Sequence, residues 1–152
     1  MKIAPITYRR HFLAGLTAIG LLQVFAAPVS AASSTIKVEL WDKPDGTQGI
    51  TLNPDKIKAG KVTFVVTNAS KTEQEHEFLV VKTNLTTDKL PMTQGGARVD
   101  EDKLGHIDEV GDIEPGKTKK GTFTLTAGKY LLFCNEEGHM NAGMVTSFVV
   151  EP

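Results

Sequence analysis

Three residues near the C-terminus carry side chains that bind soft metal ions. Cys134, His139 and Met144 follow one another with the spacing C-x4-H-x4-M. An apolar, strand-like segment leads into Cys134, and a loop with glycines at 138 and 143 returns the chain to a second strand-like segment. A loop of this length allows all three side chains to point at one centre.

The donor atoms indicate which metal would be bound. A thiolate and a thioether are soft donors and imidazole is borderline, so the set favours copper over magnesium, calcium or manganese. Zinc binds Cys and His readily but rarely uses a thioether. A blue copper centre also needs a second histidine, and His76, which opens the segment HEFLVV, supplies it. We therefore predict one copper ion, cycling between Cu(II) and Cu(I), bound by His76, Cys134, His139 and Met144.

The segments around these residues alternate apolar and polar side chains. The alternation is clearest at 36–40, 62–67 and 122–126, and turn sequences such as Pro44-Asp45-Gly46 and Glu114-Pro115-Gly116 separate such segments. Six or seven short strands with this spacing predict an all-β fold, a Greek-key β-sandwich or barrel. Residues 83–117 break the pattern, and there we expect one long loop, with a short helical turn near 87–90 and an irregular strand near Ile107.

The N-terminus has the layout of a signal peptide. A basic start with Arg9 and Arg10 precedes an apolar stretch, and the small residues of Pro28-Val29-Ser30-Ala31 suit cleavage after Ala31. Arg9-Arg10-His11-Phe12-Leu13 resembles a twin-arginine signal, with a plain secretory signal and an uncleaved membrane anchor as alternatives. We thus assign residues 1–31 to a signal peptide and residues 32–152 to one copper-binding domain that is periplasmic or otherwise exported.

The composition of the predicted domain limits its partners. Without Lys2, Arg9 and Arg10 it holds 14 basic and 18 acidic residues, a formal charge of −4. Such a domain is poorly suited to nucleic acid or to an anionic membrane surface. Because Cys134 is the chain's one cysteine, no internal disulfide can form, and metal binding explains an exported lone thiol. We expect a monomer that is not inserted in a membrane.

The chain resembles the cupredoxins, in particular the plastocyanin, azurin and auracyanin group. The resemblance is carried by the segment AGKVTFVVTN at 59–68, by His76-Glu77-Phe78, and by the segment from Tyr130 to Met144. It implies a β-sandwich in which His76, Cys134, His139 and Met144 bind copper, and an electron carrier that exchanges electrons with redox proteins. Glu77 departs from the family, which usually has Asn there, and an acidic neighbour alters the expected surroundings of the metal.

Other interpretations of the same residues remain open. One alternative is a site that stores or delivers copper, although the predicted domain has only three Met and three His residues. Another is an enzyme in which His139 activates Cys134 as a nucleophile, but no third partner is evident. His106 and Met92 are interpreted as loop residues, and Met140 is expected on the surface beside His139. The acidic residues 100–102, 108 and 109 either solvate the surface or steer a basic partner.

Overall fold

A computed structural model describes residues 33–152; the predicted signal peptide lies outside them. Within this range the chain forms nine strands and two short 3-10 helices. The strands are β1 (Ser33–Asp42), β2 (Gln48–Asn53), β3 (Lys56–Lys58), β4 (Gly60–Asn68), β5 (His76–Lys82), β6 (Ile107–Ile113), β7 (Thr118–Leu125), β8 (Gly128–Phe133) and β9 (Val145–Glu151), and the helices are η1 (Thr87–Lys89) and η2 (Glu101–Lys103). No helix among these residues is long and apolar enough to cross a bilayer.

The strands form two sheets that pack face to face. One has the order β2-β1-β4-β7 and the other β3-β9-β8-β5-β6, and the chain crosses between them repeatedly. The predicted all-β sandwich is therefore confirmed. The sequence missed β2 and β3, because β3 is only three residues long and exists through its parallel pairing with β9.

Period-2 alternation explains which side chains form the core. Ile36, Val38 and Leu40 of β1 and Val62 and Phe64 of β4 are almost completely buried, as the alternation predicts for one face of a strand. They pack between the sheets against residues of β5, β8 and β9. This main core also contains Cys134 and Met144, so both sulfur-bearing residues of the predicted site extend it.

The long segment 83–106 covers the outer face of the second sheet. It contains η1, an isolated bridge between Met92 and Val99, and η2, and β6 follows with a bulge opposite β5. The predicted helical turn and irregular strand are thus confirmed. A second apolar cluster lies beneath this segment, composed of Leu79, Val81, Leu90, Val99, Leu131, Phe133 and Met140. Met140 is 7% exposed, so its predicted surface position was wrong.

Candidate metal centre

Three of the predicted ligands meet at one end of the sandwich. His76 begins β5 and Cys134 directly follows β8, and because these neighbouring strands are antiparallel, the start of one lies beside the end of the other. His139 comes from the loop after β8. One donor atom from each residue lies within 4.8 Å of the other two. The Nδ1 atoms of His76 and His139 are 3.2 Å apart, and Cys134 Sγ lies 3.9 Å and 3.4 Å from them.

Backbone hydrogen bonds close the loop that carries Cys134, His139 and Met144. The Cys134 N–H donates to the carbonyl of Met144 at 3.1 Å, and the Met144 N–H donates to the carbonyl of His139 at 3.0 Å. Gly143 has a φ of +108°, and a Cβ there would lie 3.0 Å from the carbonyl oxygen of Gln48. Glycine therefore suits this position for both its backbone conformation and its close approach to β2.

The segment 96–101 clamps the same loop from outside. The Gly138 N–H donates to the Ala97 carbonyl at 2.8 Å. Arg98 donates through Nη1 to the Asn135 carbonyl at 2.9 Å and through Nη2 to a Glu136 carboxylate oxygen at 2.7 Å. The buried Asn135 side chain in turn accepts a hydrogen bond from the Val99 N–H and donates to the Val99 carbonyl. The long segment thus fixes the ligand loop, a role its sequence did not reveal.

Two buried polar residues position the opposite, His76 side of the site. Asn68, at the end of β4, donates to the carbonyls of Gln74 and Ile113 and accepts from the Ser70 N–H, which fixes the loop 69–75. Asp42, at the end of β1, has its Oδ2 atom 3.0 Å from Nε2 of His76. Sequence reasoning missed both residues. The signal was available, because each polar residue occupies the inward register of a strand whose other inward residues are apolar.

The thiol of Cys134 is shielded from water and contacted by backbone donors. Burial raises its pKa to about 11, and backbone hydrogen bonds from Glu77 and Glu136 oppose this increase. The Glu77 N–H points at Sγ from 3.5 Å. A bound metal cation would favour the thiolate and so act against this effect of burial.

The acidic and basic groups around the site have displaced pKa values. Burial lowers the pKa of both His76 and His139, so the imidazoles tend to be neutral and able to bind a metal. Burial by itself raises the pKa of Asp42, but hydrogen bonds from its neighbours outweigh it and lower the pKa to about 2. Burial, together with repulsion from nearby glutamates, raises the pKa of Glu77 to about 7. The unusual residue after the first histidine is thus a partly buried carboxyl.

The two candidate thioethers lie in different parts of the molecule. Met144 is fully buried in the main core, in the same cluster as Cys134. Met140 belongs to the second cluster on the outer face of the sheet. Of the remaining candidates, His106 lies on the surface with Nε2 3.1 Å from an Asp108 carboxylate oxygen, and Met92 packs against the second cluster.

The donor set fits copper. Two imidazoles and one thiol converge, from the buried His76 and Cys134 and the half-buried His139, and the imidazole pKa values are displaced toward the neutral, metal-binding form. Two His and one Cys are the strong ligands of a blue copper centre. The two-sheet sandwich, together with this His-Cys-His site at one end of it, defines a small copper protein of the cupredoxin class.

Comparisons with known proteins identify the family. The sequence profile of "Copper binding proteins, plastocyanin/azurin family" matches residues 45–151. The copper-resistant cuproprotein CopI of Pseudomonas aeruginosa is 31% identical over 157 residues, covering 86% of this chain and 84% of that protein. The chain therefore belongs to the plastocyanin/azurin family of copper-binding proteins, and copper is its cofactor.

Solved structures with a similar fold include an auracyanin and a rusticyanin. Auracyanin from Roseiflexus castenholzii is 20% identical with a TM-score of 0.54, covering 81% of this chain and all of that chain. Rusticyanin from Thiobacillus ferrooxidans is 18% identical with a TM-score of 0.53, covering 81% and 84%. At these identities the likeness concerns the fold.

Proposed function

We propose that this protein is an electron carrier, which holds one copper ion through His76, Cys134, His139 and Met144 and exchanges single electrons with redox proteins. The observation that carries the proposal is the convergence of two imidazoles and one buried thiol at one end of the sandwich. When bound, copper supplies a one-electron couple between Cu(II) and Cu(I). The protein's part is to hold the ligands in one arrangement for both states.

The hydrogen bonds around the ligands support this role. Cys134 and His139 are joined through backbone bonds to Met144, the segment 96–101 fixes the loop from outside, and Asp42 bonds His76. Ligands held in this way move little when the charge at the site changes, so the cost of reorganisation is small. The buried side chain of Met144 belongs to the same cluster as Cys134, which supports Met144 as the axial ligand.

The exposure of the ligands suggests where a partner protein approaches. His76, Cys134 and Met144 are completely buried, whereas His139 is half-buried in the loop. The ring of His139 therefore offers the shortest contact between the site and a docked protein.

Voltammetry tests the electron-carrier proposal. Copper-loaded protein should give a reversible one-electron wave whose oxidation and reduction peaks stay together as the scan rate increases. Its electron self-exchange, followed by NMR line broadening in mixtures of the Cu(I) and Cu(II) forms, should be fast. A wave that is irreversible, with loss of copper on reduction, would contradict the proposal.

Copper handling is the second candidate, and its support is the relationship to the copper-resistant cuproprotein CopI. A handling protein must release its ion to an acceptor, while an electron carrier must retain it. Incubating the copper-loaded protein with a competing chelator of matched affinity separates the two functions. Release within seconds favours handling, and retention over hours with fast electron exchange favours the carrier.

We also propose that the protein acts outside the cytoplasm, with residues 1–31 removed during export. Mass spectrometry of the periplasmic fraction should find a chain that begins at Ala32. Replacing Arg9 and Arg10 by Lys should block export if the route is the twin-arginine one and leave it unchanged if the signal is a plain secretory one.

A further inference from the structure

A carboxylate lies where the alternation of β1 calls for an apolar residue. Ile36, Val38 and Leu40 point into the core, and Asp42 occupies the next inward position with 1% of its surface exposed. A carboxylate without partners would be strongly destabilising there. Its presence in the core therefore requires specific hydrogen bonds.

Each oxygen of this carboxylate has its own hydrogen-bond partners. Oδ1 accepts from the Thr72 hydroxyl at 2.6 Å and from the Lys71 N–H at 3.2 Å. Oδ2 lies 3.0 Å from Nε2 of the fully buried His76. An ionised carboxylate can only accept hydrogen bonds, so the proton between Oδ2 and the ring belongs to Nε2.

The tautomer of His76 follows from this assignment. A neutral imidazole with its proton on Nε2 has a free lone pair on Nδ1. That atom faces the site, 3.2 Å from Nδ1 of His139 and 3.9 Å from Sγ of Cys134. Asp42 thus holds the ring with its metal-binding nitrogen directed at the other ligands. A carboxylate hydrogen-bonded to Nε2 also makes Nδ1 of the same ring a stronger metal ligand.

The geometry points to Asp42 as a positioning residue for copper, which locks His76 in its Nε2–H tautomer and strengthens Nδ1 as a ligand for Cu(II) relative to Cu(I). This inference rests on the copper site proposed above. Asp42 lies at the end of β1, far from the ligand loop in sequence. Through His76 it controls both the affinity for Cu(II) and the reduction potential. A stronger ligand stabilises Cu(II), the more highly charged ion, more than Cu(I), so Asp42 lowers the reduction potential of the copper site.

The first test uses the copper-free wild-type protein. Two-dimensional long-range ¹H–¹⁵N NMR distinguishes the two tautomers of a neutral histidine by the chemical shifts of its ring nitrogens. We expect the proton of His76 on Nε2 at pH 8. A proton on Nδ1 would overturn the inference. Because no metal is present, this result does not depend on whether the electron-carrier proposal is correct.

The second test compares Asp42→Asn with Asp45→Asn. Asn keeps the shape of Asp but carries no charge and can donate to the ring of His76. Asp45→Asn makes the same substitution at an exposed carboxylate that bonds Thr47, whereas Asp42 is the carboxylate that bonds His76. We expect Asp42→Asn to weaken Cu(II) binding about 10- to 100-fold. With Cu(I) binding unchanged, the potential rises by about 59 mV for each tenfold loss.

The control separates positioning from the net charge of the protein. Asp45→Asn should leave the His76 tautomer and the potential as in wild type. Equal shifts of potential in both variants would mean that the net charge, and not the buried carboxylate, controls the site, and would overturn the inference. An unchanged ratio of Cu(II) to Cu(I) affinity in folded Asp42→Asn would also overturn it. If Asp42→Asn does not fold, the tautomer of the wild-type protein decides.

Discussion

The two histidines of the copper site are held in opposite ways. His76 begins a central strand, is fully buried, and has its outer nitrogen bonded to the buried carboxylate of Asp42. His139 lies in a loop, is half-buried, and owes its position to backbone bonds within that loop and to the clamp by residues 96–101. One histidine belongs to the sandwich and the other to its rim.

In the electron carrier that we propose, this difference separates two requirements. The ligand on the strand side is fixed by the core, so it preserves the geometry of the site. The ligand on the loop side is close to solvent, so it can contact a partner without opening the protein. We expect changes on the strand side to alter affinity and potential, and changes on the loop side to alter access.

Removing the imidazole of either histidine should have the largest effect on copper binding. We expect His76→Gly and His139→Gly each to weaken Cu(II) binding by more than about 100-fold, because loss of a ligand exceeds the cost of losing its outer partner. Added imidazole should restore the visible spectrum of His139→Gly, whose cavity reaches the surface, and not that of His76→Gly. Restoration of both variants at the same imidazole concentration would show that burial does not distinguish the two positions.

Replacing each thioether should separate the core from the outer cluster. Met144→Leu, in the main core, should raise the potential by about 59 mV for each tenfold change in the relative affinities for Cu(II) and Cu(I). Met140→Leu is the matched control, since it makes the same substitution in the second cluster. Voltammetry of both variants checks the prediction, and a larger shift in Met140→Leu would reverse the assignment of the axial ligand.

The charge of Glu77 should destabilise the strand side of the copper-free protein at high pH. The pKa of Glu77 is raised from 4.5 to about 7, so the folded state binds this proton more tightly than the unfolded chain. The resulting stability is present below about pH 4.5 and is lost as the pH rises through about 7. Glu77→Gln should therefore gain roughly 1 to 2 kcal/mol at pH 8, after allowance for partial exposure, and nothing at pH 4.

Urea unfolding of the copper-free protein at the two pH values measures this gain. Glu137→Gln is the control, because Glu137 is an exposed carboxylate of the ligand loop. A gain of the same size in Glu137→Gln would point to the net charge of the protein as the cause. A gain at pH 4 as large as that at pH 8 would exclude the ionisation of Glu77.

The smallest expected effect concerns the clamp on the loop side. Arg98→Gln removes hydrogen bonds to the Asn135 carbonyl and to Glu136 and should cost about 1 kcal/mol of stability. It should also accelerate copper release while leaving the potential nearly unchanged. Lys103→Gln breaks the surface ion pair between Lys103 and Asp100 and should cost less than about 0.5 kcal/mol of stability. Equal release rates for the two variants would argue against the clamp.

The sequence predicted the parts of this structure that depend on local patterns. Alternation revealed the main strands, and the predicted ligand set includes His76, Cys134 and His139, whose donor atoms the fold brings together. Met144 as a fourth ligand stays a prediction. The register of β1 places Asp42 in the core, but neither its bond to His76 nor the clamp by the segment 96–101 could be predicted in the same way. Both depend on contacts between distant segments, such as Asp42 with His76 and Arg98 with Asn135, which no local period encodes.

Met140 illustrates the same limit. Its neighbour His139 faces the site, and a loop position suggested an exposed side chain. The segment 83–106 folds over the outer face of the sheet and buries Met140 beside Leu90 and Val99. Only the tertiary packing of that segment decides its exposure.

The most direct test of the copper site is the spectrum of the protein with Cu(II). Residues 32–152 with one equivalent of Cu(II) should show an intense visible thiolate-to-copper band and a narrow copper hyperfine splitting in EPR, and Cys134→Ser should lose the band. A colourless complex with the wide hyperfine splitting of ordinary Cu(II), or a band that survives in Cys134→Ser, would contradict the account.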